Sequence, residues 1–189
     1  MNNILFARDI WPPKWGATLL LVLVLFFCGC QAKEPPLSPA EVSFKKEVQE
    51  LIERLSPLLI EPVSKHSTAE INITLQKFFS DPKNEPRICP FKFVITDKDG
   101  VTLAKYPVEK GFGVDFSSYD VVQKVLQEGK TAQGRFFLQD GARVYVICAP
   151  LRLKGDVIGI LALGVDANEV GKTCGLPEAK FLAIDFNRP

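Results

Sequence analysis

Five cysteines and a single histidine are the side chains of this sequence with the widest chemical scope. No two cysteines have the C-x-x-C spacing common in zinc sites and redox-active disulfides, so metal or thiol chemistry of that kind is not predicted. A Ser-His-Asp or Cys-His site would depend on His66 alone, and no nucleophile pattern stands beside it. We therefore predict no enzymatic activity, no metal and no cofactor.

Cys28 and Cys30 close the longest apolar run of the chain, which reads LLLVLVLFF and ends at Phe27. A charged start, an apolar stretch of about 7–15 residues and a small residue before the cut are typical of a secretory signal peptide. The sequence FFCGC resembles the bacterial lipobox, in which a small residue, here Gly29, precedes the cysteine that receives lipid. Cleavage before Cys28 would put a bulky Phe in that place. We therefore predict a signal peptide over residues 1–29 and lipidation of Cys30.

Lipidation of Cys30 would hold the protein on a membrane, because each buried methylene adds about 0.8 kcal/mol. We expect the chain on the outer side of the cytoplasmic membrane or in the outer membrane, with residues 30–39 as lipidated cysteine and short linker. Alternatively, the apolar run stays uncut as an N-terminal membrane anchor. Removing the signal peptide leaves 21 basic and 21 acidic residues, and this balance predicts no nucleic-acid partner.

Three cysteines remain after the predicted cleavage, in a compartment that is oxidising. Cys148 lies within an apolar stretch and is interpreted as a small buried side chain. Cys89 comes just before one predicted strand, and Cys174 follows another. If those strands are antiparallel neighbours, the two cysteines meet, and we predict a disulfide between them.

The order of predicted elements indicates how these residues are positioned. The capping-box sequence SPAE starts a helix at Ser38, and apolar residues at three- and four-residue steps give that helix one apolar stripe as far as Leu59. A second helix follows. Beyond Pro90, DKDG joins two strands into a hairpin, a short helix ends at Gly129, and three further strands end at Asp166. The predicted class is α+β, with a long N-terminal helix packed on a five-stranded antiparallel sheet.

Two segments together resemble the Cache family of extracytoplasmic sensor domains, whose fold is PAS-like: FVITDKDGVTLAKYP and APLRLKGDVIGILALGVD. The resemblance covers roughly residues 40–172, which we predict to be a single domain, with residues 173–189 as a C-terminal tail. It implies binding of a small molecule, such as an amino acid, organic acid, amine or purine, in a pocket beside the sheet. Family members usually continue into a signalling module, and only a short segment follows here. We therefore expect a signalling or transport partner.

Alternation along the strands predicts where a ligand would lie. One face of the last strand carries Ala162, Gly164 and Asp166, small and charged residues of the kind that line ligand sites. By the same alternation, we predict that Tyr145 and Arg135 lie on that side of the sheet. The aliphatic faces of their strands should then pack against the long helix. The resemblance implies that Asp166 receives a ligand amine, and Arg135 could hold a carboxylate. The candidate ligand-binding residues are Asp166, Tyr145, Arg135 and Phe137, with Tyr119 and Tyr106 in the segment that would cover the pocket.

Two functions remain open on the sequence alone. The first is a lipid-anchored domain that binds a small molecule and acts through a partner protein. The second is a structural or assembly lipoprotein whose sheet docks onto another protein without a ligand. The feature that separates them is the cavity, which is open in the first case and filled by side chains in the second.

Overall fold

A computed structural model describes residues 36–108, 115–137 and 141–188, which form five helices, a short 3₁₀ turn and one five-stranded sheet. The spatial order of the strands in the sheet is Thr102–Tyr106, Lys92–Asp97, Asp156–Asp166, Arg143–Leu153 and Ala132–Phe137, and all neighbours are antiparallel. The predicted α+β class is confirmed. The predicted signal peptide and Cys30 lie outside the described residues.

In chain order the elements are α1 (Pro39–Ser64), α2 (Thr68–Phe79), the 3₁₀ turn (Pro82–Asn84), β1 (Lys92–Asp97), β2 (Thr102–Tyr106), α3 (Asp120–Glu128), β3 (Ala132–Phe137), β4 (Arg143–Leu153), β5 (Asp156–Asp166), α4 (Ala167–Lys172) and α5 (Glu178–Ala183).

The capping box that predicted the start of α1 is present. The Ser38 hydroxyl accepts from the Glu41 backbone N–H at 3.3 Å, and the Glu41 carboxylate accepts from the Ser38 N–H at 2.7 Å. These hydrogen bonds from Ser38, followed by the charge of Lys180 on α5, lower the pKa of Glu41. Lys180 Nζ lies 3.5 Å from the Glu41 carboxylate. The same carboxylate therefore caps the start of α1 and links it to residues 173–188, which we call the C-terminal segment.

One face of the sheet, which we call the helix-covered face, is sealed by α1. The apolar stripe of α1 is buried there, and a fully buried residue of this kind contributes about 1.5–3 kcal/mol. The α1 residues in this core are Phe44, Val48, Leu51, Leu55, Leu59 and Val63. The strand residues in it are Phe93, Ile95, Ala104, Tyr145, Ile147, Leu151, Leu161, Leu163 and Val165.

The residues after α4 belong to the same core. Leu176, Phe181, Ile184 and Phe186 are each 5% exposed or less. The Gln49 amide of α1 donates to the Phe186 carbonyl at 3.1 Å. The residues from Leu176 to Phe186 therefore pack in the same core as α1 and the sheet.

Cys89 and Cys174 are joined by a disulfide, with their Cα atoms 4.9 Å apart. Cys89 precedes β1 and Cys174 follows α4, and β1 pairs with β5 in antiparallel register. The bridge therefore fixes the start of the C-terminal segment beside the sheet. Cys148 is buried, and burial raises the pKa of its thiol to about 12, so the group stays neutral.

The opposite face of the sheet, which we call the cavity face, is covered by α3. Gly129 ends this helix in the left-handed conformation, with φ of 63°, which glycine adopts readily. A second, smaller core forms between helix and sheet. Its buried members are Val121, Val122, Val125, Ala132, Phe136, Val146, Cys148, Ile160 and Ala162.

Candidate functional site

A cavity of about 330 Å³ lies on the cavity face, between the strands and the region of α3. Its floor is built from cross-strand neighbours, which lie on the same side of an antiparallel sheet. Val146 pairs with Gly164, and Gly164 pairs with Lys92 on its other side. The next row joins Cys148, Ala162 and Val94. Phe116, Val122 and Phe136 form the walls.

Small residues in the centre of the sheet create the hollow. Gly164 and Ala162 occupy adjacent floor positions on β5, where a larger side chain would project into the cavity. On β3, by contrast, α3 sits directly over Gly134, since a Cβ atom there would lie 3.0 Å from Val121 Cβ. The helix is therefore in close contact with β3, while the space above β5 stays open.

The cavity has few polar groups, and they are unevenly placed. Among the described lining residues, Asp166 and Lys92 carry charge, and both lie near the end of the floor where β5 finishes and β1 begins. Asp166 Oδ1 accepts from the Asn168 backbone N–H at 2.7 Å and so caps α4. Thr96 lies toward the other end, and its hydroxyl donates to the Asp97 carbonyl at 3.0 Å.

Asp166 lines the cavity, but Tyr145 and Arg135 do not. Tyr145 pairs with Val165 and lies in the helix-covered core, where its phenol donates to the Glu178 carboxylate. Arg135 Nη1 lies 2.7 Å from Glu178 Oε1. The predicted facing of β3 and β4 is therefore wrong. Parity within a strand does not determine register, and the observed register puts Val144, rather than Tyr145, beside Asp166.

Glu178 on α5 is the residue that both side chains contact. Burial and the hydrogen bond to Glu178 raise the pKa of the Tyr145 phenol. The pKa of Glu178 is lowered, mainly by that hydrogen bond and then by the charges of Arg135 and Arg143. Tyr145 and Arg135, two of the six predicted ligand-binding residues, therefore contact α5 rather than the cavity.

The three remaining candidates are dispersed. Phe137 is 62% exposed and lies with Tyr119 along a groove at the edge of the sheet beside β3. The Tyr119 ring also contacts Phe136, with centroids 4.1 Å apart, so it supports one wall of the cavity from outside. Tyr106 stacks on Phe79 of α2, with centroids 4.5 Å apart. Two open surface grooves of the described residues are larger than the cavity, about 520 and 600 Å³, but they are less enclosed.

Much of the cavity lining could not be identified from the sequence. The predicted facing placed Val144, Val146 and Cys148 on the helix-covered side together with Phe136, because alternation within a strand does not indicate which way the strand faces. The small residues of β5 were the correct signal, and pairing them with β4 in the right register would have found these neighbours.

Solved structures with a similar fold include two from sensor proteins. One is the extracellular domain of a protein assigned as a histidine kinase, vpHK1S-Z8, with a TM-score of 0.56 and 13% identity, covering 74% of this chain and 57% of that chain. The other is a domain assigned to the sensory box/GGDEF family, from Vibrio parahaemolyticus, with a TM-score of 0.50 and 14% identity, covering 74% and 63%. This chain has the Cache-type, PAS-like fold.

The Cache-type fold confirms the resemblance inferred from the two sequence segments. The likeness spans about three fifths of the length of the two solved chains. No family model matches the sequence, and no curated protein matches it. Within the described ranges, no helix has the length and apolarity needed to cross a bilayer. The described residues also bring no three potential metal ligands together.

Proposed function

We propose that this chain is a lipid-anchored extracytoplasmic domain that binds a small molecule and acts through a partner protein. The observation that carries the proposal is the cavity of about 330 Å³ on the cavity face, with apolar walls and a few polar groups at one end. Ligand sites commonly have this makeup. The Cache-type fold, shared with extracellular domains of sensor proteins, supports it.

The cavity also favours binding over docking without a ligand. Protein interiors are close-packed, and an unfilled cavity costs stability in proportion to its volume. The helix-covered face of the same sheet is filled, with Leu161 and Leu163 fully buried. On the same strand, the small residues Ala162 and Gly164 border open space. An open floor at these positions is more consistent with a ligand site than with a structural lipoprotein.

Asp166 is the proposed contact for a positively charged group of the ligand. One oxygen of its carboxylate caps α4 and fixes the side chain at the rim of the cavity. A carboxylate accepts several hydrogen bonds, so the group can cap the helix and bind an amine at the same time.

A thermal-shift screen of the purified full-length chain tests the proposal. The panel contains amino acids, organic acids, amines and purines, and a ligand at about 100 times its dissociation constant adds about 2.7 kcal/mol of stability. Asp166→Asn keeps the cap but removes the charge, and should weaken binding of the hit. Asp156→Asn, at the exposed opposite end of β5, is the matched control. A folded protein that responds to nothing in the panel would favour the docking lipoprotein.

The membrane anchor is a separate part of the proposal and rests on the sequence FFCGC. Mass spectrometry of the protein from bacterial membranes should find an N-terminal acylated Cys30. Cys30→Ser should release the protein from the membrane or block its processing, and Cys28→Ser should change neither. A mature chain that retains residues 1–29 would establish the uncut anchor instead.

A partner protein is proposed because the fold is shared with the extracellular domain of a protein assigned as a histidine kinase. The partner would be the extracytoplasmic part of a signalling or transport protein. Ligand-dependent cross-linking of the membrane-bound chain tests this, with Asp166→Asn as the control. Cross-linking to the same protein with and without ligand would instead favour the assembly role.

A further inference from the structure

The two edge strands of the sheet, β2 and β3, are protected to different degrees. The pairing of β2 with β1 contains a bulge, Val101 before β2 forms a bridge with Asp115, and Pro107, which has no N–H, follows β2. Bulges, prolines and covering segments are common protections against pairing with another chain. By contrast, β3 pairs with β4 without a register shift and contains no proline. The outer edge of β3 therefore keeps the regular geometry that a further strand needs.

The hydrogen bonds of Thr131 show which backbone groups of β3 point outward. Its N–H donates to the Asn187 side-chain oxygen at 2.9 Å, and its carbonyl accepts from the Asn187 amide at 2.8 Å. Asn187 thus takes the position of a neighbouring strand residue at the start of this edge. Because backbone groups alternate between the two sides of a strand, the N–H and carbonyl groups of Gln133, Arg135 and Phe137 also point outward.

These outward groups are largely unpaired. Among the described residues their one hydrogen bond is long, from the Tyr119 hydroxyl to the Phe137 carbonyl at 3.5 Å. A groove of about 520 Å³ lies beside them, between β3 and the first turns of α3. The Phe137 side chain at the end of the strand is 62% exposed. The edge therefore offers backbone pairing, space and an apolar contact together.

The charges beside the edge leave positive groups without partners. Arg135 Nη1 lies 2.7 Å from Glu178 Oε1, so that pair is neutral. Within the described ranges, neither Arg143, the exposed first residue of β4, nor Lys124 on the groove wall forms an ion pair. Asp120 also lines the groove, but it lies in the first turn of α3, where the helix dipole favours a negative charge. A segment that carries carboxylates complements this surface, whereas a second copy of β3 would bring like charges together.

On the basis of the partner in the proposed function, we infer that the outer edge of β3 docks an extended acidic segment of that partner. The segment would add a sixth strand to the sheet, pairing with the outward groups of Gln133, Arg135 and Phe137. Lys124 and Arg143 would attract its carboxylates, and an apolar side chain would cover the Phe137 ring.

Synthetic peptides test this inference on the full-length chain. The probe is an eight-residue peptide in which Glu-Glu and Val-Val pairs alternate, so that each face of the strand carries both residue types. Fluorescence anisotropy should show binding of this peptide, and replacing each Glu with Lys should weaken it about five-fold or more. Methylating the backbone nitrogens should abolish binding, because the pairing needs N–H donors. No binding of the acidic peptide, or equal binding of the methylated one, would overturn the inference.

Two substitutions at one position separate the backbone from the side chain. Phe137→Pro removes an outward N–H that takes no part in the pairing with β4, and edge strands tolerate proline. It should weaken binding of the acidic peptide about ten-fold. Phe137→Ala keeps the N–H and loses only the exposed ring, so it should have a smaller effect. Equal losses from the two variants would overturn the strand pairing.

Lys124→Glu leaves the strand untouched and keeps the test valid if Phe137→Pro does not fold. It should weaken binding of the acidic peptide about five-fold and strengthen binding of the Lys peptide. Lys77→Glu, exposed on α2 beside the opposite edge of the sheet, is the matched control and should change neither. Equal effects of the two charge reversals would overturn the placement at β3.

The partner cross-linking experiment distinguishes this inference from the proposed function. Phe137→Pro should abolish the cross-link while leaving the thermal shift with a small-molecule hit unchanged. A cross-link that persists in Phe137→Pro would overturn the docking site but leave the partner standing. A dimer seen by analytical ultracentrifugation and lost in Phe137→Pro would identify a second copy as the occupant and overturn the acidic segment.

Discussion

The helix-covered face and the cavity face are built from the same strands but are packed differently. On the first, α1 and the C-terminal segment bury Phe44, Leu55 and Phe181 completely. On the second, the nine-residue α3 leaves a cavity of about 330 Å³. A single sheet can thus have one closely packed face and one face with a cavity, provided that its strands alternate large and small residues.

The alternation is clearest along β5. Residues of one parity, such as Leu161 and Leu163, pack under α1, and those of the other, Ala162 and Gly164, form the cavity floor. The same kind of substitution should therefore have different effects at neighbouring positions. Four substitutions, two of them with a comparison variant, test the packing of the two faces in decreasing order of expected effect.

Phe44→Ala should cause the largest loss of stability. The ring is fully buried and contacts the rings of Phe181 and Phe91, with centroids 5.6 and 5.9 Å away. Truncating a buried Phe costs about 3–5 kcal/mol, because the lost contacts leave a cavity. Urea unfolding, followed by circular dichroism, measures the change.

The comparison variant is Phe116→Ala on the cavity face. Its ring stacks on Phe136 at 5.4 Å but is only half-buried and borders space that already exists. We expect a loss of no more than about 2 kcal/mol. Equal losses from the two variants would contradict the assignment of stability to the helix-covered face.

Gly159→Ala should be the next most damaging. Gly159 lies on the helix-covered parity of β5, and a Cβ atom there would overlap the Thr96 carbonyl oxygen and lie 2.9 Å from Val63 Cγ1. Neither the strand backbone nor the buried Val63 side chain can move away easily. Overpacking of this kind costs about 1–3 kcal/mol, which the shift of the urea midpoint would report. If Gly159→Ala leaves the urea midpoint unchanged, α1 is packed less closely against β5 than the structure shows.

Tyr145→Phe removes the hydrogen bond to Glu178 and should cost about 1 kcal/mol at neutral pH. The effect should also depend on pH. The pKa of Glu178 is lowered from about 4.5 in the folded state, so its contribution is present above pH 4.5 and is lost as the pH falls through the folded pKa. The hydrogen bond from Tyr145 is the main cause of that lowering. The variant should therefore lose less stability than the wild type on acidification.

Urea midpoints at pH 7 and at several values below pH 4.5 test this prediction. Tyr119→Phe is the matched control, since its hydroxyl makes a long hydrogen bond of 3.5 Å to the Phe137 carbonyl and not to Glu178. If Tyr145→Phe and the wild type lose stability in parallel below pH 4.5, the lowered pKa of Glu178 does not depend on the hydrogen bond from Tyr145.

The elements of this fold were predictable from local patterns, because caps, turns and periodicity are local. Ser38 and Glu41 marked the start of α1, and Gly129 marked the end of α3. The facing of β5 was also predictable, since its two parities differ in size. β4 was different: both parities, around Tyr145 and Val146, are apolar, so nothing in the strand itself said which joined the cavity.

The contacts of Glu178 were not predictable either. It contacts Tyr145 and Arg135, which lie 33 and 43 residues earlier in the sequence. Glu178 itself lies in α5, after the region that resembles the Cache family. Such contacts depend on how the C-terminal chain returns over the sheet, which residue types alone do not determine. The partners of Tyr145 and Arg135 could therefore not be identified from the sequence.

Gly164→Ala should have the smallest effect on stability, within about 1 kcal/mol of zero. A Cβ atom at Gly164 would lie 3.3 Å from Val144 Cγ1, and Val144 borders the cavity, so it can move by the few tenths of an ångström required. Replacing a strand glycine also reduces the entropy of the unfolded chain, which offsets part of that strain. The added methyl group raises the cavity floor between Lys92 and Val146, so ligand-induced stabilisation should fall while the urea midpoint barely changes. A loss of stability as large as that of Gly159→Ala would mean that the two faces are packed alike, and the contrast between them would fail at the strand where it is sharpest.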